Sequence, residues 1–120
     1  MHNEILSVRL AFPPSVNSYW RRKGKQHFIS DAGRAFKVAA WCDLKMAWRR
    51  PPIEERVEVN VEFCRGDRRA FDVDNYAKAV LDALQGVVIV NDQQVDSLTL
   101  RRLRPDPDGP GFCVVTIGVL

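Results

Sequence analysis

The run RRAFDVDNYAKAVLDAL, residues 68 to 84, sets Asp72 and Asp74 one residue apart behind an arginine pair, Arg68 and Arg69. Two chemistries fit that spacing. A single aspartate at the start of a helix caps it by accepting a backbone N–H. Two carboxylates in one turn, with Asn75 beside them, exceed what a cap needs, and a bound divalent cation relieves their mutual repulsion. A further acidic pair, Asp92 and Asp96, lies in NDQQVDS. Aspartate oxygens with no neighbouring His or Cys suit Mg²⁺, with Mn²⁺ as a substitute, and not Zn²⁺. Set among arginines, such a cluster fits attack on a phosphate, because a metal inverts the local charge, polarises the phosphoryl oxygen and activates a water. Lys78, four residues after Asp74, is placed either to pair with that carboxylate or to stabilise charge in the transition state. An Asp-x-Asp before a helix also occurs in metal-dependent sugar transferases, so the pair alone does not choose the reaction.

A second group of residues bears on binding. Tyr19, Trp20, Arg21, Arg22, Lys23 and Lys25 put four cations and two aromatic rings into seven residues. Cations pair with phosphates, and an aromatic plane stacks on an exposed base. The alternative is a solvated loop whose rings cover the edge of the core. Arg65, in the loop before the aspartates, joins Arg68 and Arg69 as a phosphate-contact candidate. RRLR, Arg101 to Arg104, breaks the alternation of its strand, as a bulge or as an exposed pair. His2 and His27 have no partner pattern and read as surface residues. PDPDG, residues 105 to 109, lacks the later ligands of a calcium loop and reads as a turn.

Composition narrows the class. A chain of 120 residues, 46% hydrophobic and 28% charged, fits one soluble globular domain over residues 1–120. The formal charge is +3, carried by thirteen arginines against five lysines. Arginine favours bidentate phosphate contact, so a polyanionic partner is expected. Cys42, Cys64 and Cys113 are odd in number, lack CxxC spacing and sit in apolar-rich stretches, as packed, reduced thiols do. No run approaches the roughly 18 apolar residues a membrane span needs, and MHNEILSVRLAF lacks the pattern of a secretory leader. A cytoplasmic location and no membrane partner are expected.

Periodicity supplies the elements that must position these groups. Leu6 to Phe12 alternates as a half-buried strand and stops at Pro13-Pro14. A loop follows, with a short extended piece at residues 27–29. Ser30 is placed to cap a helix from Asp31 to Arg49, whose apolar stripe is Phe36, Ala40, Leu44 and Ala47. Val57 to Phe63 alternates as a second strand. A second helix buries Ala77, Val80, Leu81 and Leu84 and ends at Gly86. Strands near 97–104 and 112–119 are expected to form an antiparallel hairpin. The resulting fold class is α/β: a strand-helix-strand-helix-strand-strand order, with two helices packed on one mixed sheet.

PPSVNSYW after the first strand, DVDNYAKAVLDAL in the middle and NDQQV beyond it together resemble the RusA-type Holliday junction resolvases, small crossover-junction endodeoxyribonucleases often encoded by prophages. The resemblance spans nearly the whole chain in order and spacing. It implies a mixed α/β fold, a homodimer, and Mg²⁺- or Mn²⁺-dependent cutting of four-way DNA junctions in recombination and repair. The family's essential aspartates fall on Asp72, Asp74 and Asp92, converging on the metal, and its helix lysine falls on Lys78. Asn17 lies in the matching PPSxN motif and is expected to contact DNA. Where the family often has an acidic pair, this chain has Asn91-Asp92, which leaves the role of Asn91 open. A non-catalytic junction-binding module of the same fold is the alternative.

Overall fold

A computed structural model of the chain describes residues 3–120, so His2 lies outside the described residues. Strand β1 covers Asn3–Ala11, helix α1 Val16–Tyr19, strands β2 and β3 Trp20–Lys23 and Gln26–Ile29, and helix α2 Asp31–Ala47. Strand β4 covers Val57–Cys64, helix α3 Ala77–Leu84, and strands β5 and β6 Val95–Arg102 and Phe112–Val119. Two 3-10 turns, Val73–Tyr76 and Asp92–Gln94, precede α3 and β5. The mixed α/β class is as expected. The segment read as a loop holds more order: α1 and a β2–β3 hairpin fill residues 16–29.

The main sheet runs β1-β6-β4-β5, with β4 parallel to β5 and β6 antiparallel to both β1 and β4. β5 and β6 therefore do not form the expected hairpin, because β4 lies between them. Burial explains the order. β6 alternates with Cys113, Val115 and Ile117 fully buried and belongs inside the sheet, whereas Asp96 to Thr99 of β5 are all exposed and suit an edge. The nine residues from Leu103 to Gly111 are long for a tight turn and cross the end of β4 instead. The Leu103 N–H donates to Phe63 O at 2.8 Å, and the Asp106 N–H to Arg65 O at 3.0 Å. At that crossing a Cβ on Gly66 would meet the Gly109 carbonyl oxygen at 2.6 Å, so only glycine lets the two backbones approach.

β4 carries the core. Val57, Val59, Val61 and Phe63 have no exposed surface, and each such side chain stabilises the fold by about 1.5–3 kcal/mol. α2 and α3 supply the layer above. The Ser30 hydroxyl accepts the Gly33 N–H at 3.0 Å, capping α2 as expected. Its stripe buries Phe36, Ala40 and Leu44, but Ala47 is exposed and Trp48 takes the last buried place, since the helix stops at Ala47, short of Arg49. α3 ends before Gly86, whose φ of +82° reverses the chain. Cys64 and Cys113 are packed as expected; Cys42, on the outer face of α2, is exposed.

Candidate active site

The site is built where β4 runs out. Past Cys64, Arg65 turns inward: its Nε donates to Asp67 Oδ1 at 3.0 Å and its Nη1 to the Tyr76 hydroxyl at 3.2 Å. Its guanidinium also lies 5.3 Å from the Phe12 ring and 5.6 Å from that of Phe71. Phe12, Phe63, Phe71 and Tyr76 pack together with centroids 5.0–6.4 Å apart, mostly edge to face. On the outer side, Arg102 Nη1 donates to the Phe71 carbonyl at 3.2 Å and its guanidinium sits 5.6 Å from that ring. Phe71 is thus held between two arginines on an aromatic floor. Arg65 proves to be a clamp of the loop; its hydrogen bond also pulls the Asp67 carboxyl below its ordinary pKa.

Asp72 and Asp74 stand directly on this floor. Asp72 occupies the cap position of the 3-10 turn yet makes no capping hydrogen bond with its side chain, and Asp74 lies in the first turn. Both are exposed, and neither carboxylate has a hydrogen bond or ion pair among the described residues. The capping chemistry is not what these residues do here. Two adjoining clefts of about 440 Å³ open beside them. Asp72, Phe71 and Arg102 line both; Asn17, Asn75 and Ser15 line one, and Asp74 with Leu100 the other. Arg102 is the cleft-lining residue that periodicity undervalued: RRLR contains an exposed pair and no bulge, with Arg101 turned to Glu62 at 3.5 Å and Arg102 turned to the aspartates' cleft.

Asp92 is not part of that cleft. It sits in the turn just before β5, whereas Leu100 and Arg102, near the other end of β5, line the clefts of Asp72 and Asp74. From Val95 to Leu100 a strand advances roughly 16 Å, so the three aspartates do not converge within one chain. Among the described residues no group of three or more His, Cys, Asp or Glu side chains could hold a metal. The turn bearing Asp92 is firmly fixed. Buried Gln94 accepts the N–H groups of Val90 and Asn91 at 2.8 Å and donates to the carbonyls of Ile53 and Glu55 at 2.7 and 2.9 Å. Asn91 caps the turn, accepting the Gln93 N–H at 2.8 Å, which accounts for it structurally. Asp96 is bound by Arg56, which holds its carboxyl below the usual range.

Lys78 also departs from expectation. It pairs with Asp82 at 3.2 Å and not with Asp74, because residues 73–76 wind as a 3-10 turn and the four-residue spacing loses its alignment. Tyr19 is fully buried and cannot stack on a base; Trp20, half-buried, meets it edge-on at 5.3 Å. Arg21, Arg22, Lys23 and Lys25 are exposed along the β2–β3 hairpin, as is Arg68 beside the aspartates. Arg69 is exposed and shares Asp67. His27 is a surface residue. No helix among the described residues is long and apolar enough to cross a membrane.

Comparison with known proteins places the chain in a family. Residues 11–113 match the family model described as endodeoxyribonuclease RusA. The chain is 32% identical over 105 residues to the crossover junction endodeoxyribonuclease of Enterobacteria phage HK97, covering 83% of this chain and 84% of that protein. Against the crossover junction endodeoxyribonucleases of Shigella sonnei (strain Ss046) and Escherichia coli (strain K12) it is 35% and 33% identical over 78 residues, 65% of either chain in each case.

Proposed function

The chain belongs to the family of RusA endodeoxyribonucleases, and from that membership we propose that it resolves four-way DNA junctions by metal-dependent, paired symmetric nicks, as a homodimer acting in recombination and repair in the cytoplasm. The observation that carries this reading is the pair of unpartnered carboxylates, Asp72 and Asp74, beside Arg102 on a rigid aromatic floor. Hard, anionic oxygens with no nearby sulfur or imidazole fit Mg²⁺ or Mn²⁺. The chemistry a bound ion supplies there is Lewis-acid polarisation of the phosphodiester and activation of a water, giving a 5′-phosphate and a 3′-hydroxyl. Arg102 orients the phosphate, and Lys78 stabilises charge on the leaving oxygen. Arg68, Arg69 and the hairpin cations hold the flanking backbone, with specificity coming from junction shape.

The distance of Asp92 supports a dimer in particular. β5 is an edge strand whose centre, Ser97 to Thr99, is exposed and uncharged. Antiparallel pairing of two β5 edges about a two-fold axis puts the start of one strand beside the end of the other, which carries Asp92 of one protomer toward Asp72 and Asp74 of its partner. Each site then needs both chains, and two opposed sites match the two opposed strands a junction presents. The deciding experiment is cleavage of a synthetic four-way junction, with linear duplex as control, in Mg²⁺ and in EDTA. Paired nicks that require the metal support the proposal. Tight binding without cuts in Mg²⁺ and Mn²⁺ moves the reading to a non-catalytic junction-binding module.

A further inference from the structure

Behind Lys78 lies a polar group that the proposed chemistry leaves unused. The Tyr19 hydroxyl, on a side chain with no exposed surface, is the one buried side-chain polar atom without a well-aligned hydrogen bond among the described residues; its approach to Asp82 is close but loose. Such a donor costs stability, and a phenylalanine would fill the same space without it. Beside it stands Asp82, mostly buried, with its side chain 15% exposed against 43% for Lys78. Asp82 Oδ1 already serves two donors, Lys78 Nζ at 3.2 Å and Gln85 Nε2 at 3.4 Å. The Asp82 carboxylate also comes close enough to the Tyr19 hydroxyl to act on it, but without a well-aligned bond. The carboxylate is therefore mostly enclosed, the ammonium partly exposed, and the tyrosine donor only loosely engaged.

We propose that Asp82 is a two-position acceptor: it holds Lys78 in the free protein and turns to the Tyr19 hydroxyl when Lys78 leaves for a phosphate, so Asp82 and Tyr19 are positioning residues for Lys78. The exchange makes release cheap. An ion pair is given up to the incoming anion, and the carboxylate left behind gains a hydrogen bond instead of standing unpaired in a half-buried site. Burial, reinforced by the Asp82 charge and by the loose hydrogen bond to its carboxylate, pushes the Tyr19 pKa up to about 12, so the hydroxyl keeps its proton for a firmer donation throughout the physiological range.

A stability cycle tests the exchange without reference to DNA. In the wild-type background Tyr19→Phe removes a loosely engaged donor, and Tm stays level or rises. In a Lys78→Met background Asp82 has already turned to Tyr19, and the same change lowers Tm by about 3–5 °C, the loss of one hydrogen bond in a domain of this size. With Asp82→Ala as background, which leaves no acceptor, the sign difference disappears. Equal effects of Tyr19→Phe in the wild-type and Lys78→Met backgrounds overturn the exchange. The functional arm rests on the nuclease reading: in junction cutting Tyr19→Phe lowers kcat about fivefold while KM and Tm hold, again the loss of one hydrogen bond. A kcat within twofold of wild type overturns the positioning role. A wild-type protein that does not cut junctions sinks the nuclease reading, and the stability cycle still decides the exchange.

Discussion

Asp74 and Asp92 stand near opposite ends of the parallel β4–β5 pair, one beside Leu100 and Arg102 and the other just ahead of Val95. If each site draws Asp92 from the second protomer, two inactive variants complement each other. Asp74→Asn and Asp92→Asn proteins, mixed and allowed to exchange subunits, form heterodimers with one wholly intact site and one doubly damaged site. Random exchange restores about a quarter of the wild-type sites, cutting single strands. Mixtures that stay as inactive as their parents place all three aspartates in one chain and sink the shared site.

Neither carboxylate of the pair is engaged by the fold, so their removal leaves stability alone. Asp72→Asn and Asp74→Asn are expected to keep Tm within about 2 °C, since no capping bond is lost, and to reduce junction cutting at least a hundredfold. Junction binding persists or tightens, because a charge that repels phosphate is gone. Thermal melts and gel-shift binding in EDTA make the comparison. A large fall in Tm, with both functions lost, restores the capping role.

Arg102 and Arg101 are neighbours in β5 with different duties. Arg101→Ala loses a long, exposed contact to Glu62 and changes little. Arg102→Ala removes the cation shared by both clefts and weakens junction binding about tenfold, lowering the slope of log K against log salt by about one. Equal effects from the two changes leave Arg102 with no special place.

Thiol chemistry separates the cysteines. Burial pushes the Cys113 thiol up to about 12, so essentially no thiolate exists there at pH 8, and Cys64 is buried at the end of β4. Iodoacetamide is expected to label Cys42 alone in the folded protein and all three in urea, read by mass spectrometry.

Acid should loosen two ties before the core fails. Asp67 and Asp96 have carboxyls held below their ordinary pKa by Arg65 and Arg56. Their stabilisation is complete above the unfolded carboxylate value near 4 and is lost as pH falls through the lower folded values. A melting series from pH 6 to pH 2 should show Tm falling below about pH 4 in wild type, with a shallower fall in Arg56→Ala. Identical slopes remove Arg56 from the account.

How far these features could be read beforehand follows from their physics. Val57 to Phe63 and the buried face of α3 were legible because a strand period and a helix period leave unambiguous marks. The 3-10 turn at Val73–Tyr76 was not, and it broke the Asp74–Lys78 pairing that helical spacing suggests. Strand order was hidden for a different reason: chain adjacency favours a β5–β6 hairpin, whereas burial puts β6 inside and β5 at the edge. The aspartate pair announced itself through excess charge in one turn. Arg102 could be found only once β5 was seen to end against Phe71, and Tyr19 only once its ring was seen to be enclosed.

The hold on Phe71 has a consequence for how this chain tolerates change in length. Wedged between Arg65 and Arg102, that residue divides the connection from β4 to α3 into two unequal territories. The span from Arg68 to Ala70 lies outside the wedge and is exposed, and past the Asp67 tie to Arg65 an inserted residue adds little closure entropy. From Phe71 to Tyr76 both ends are pinned by packed rings, and one added residue would rotate the carboxylates off their floor. Related sequences that vary in length should do so between Asp67 and Phe71, and a loop library built for altered substrate choice has its usable ground in those three positions.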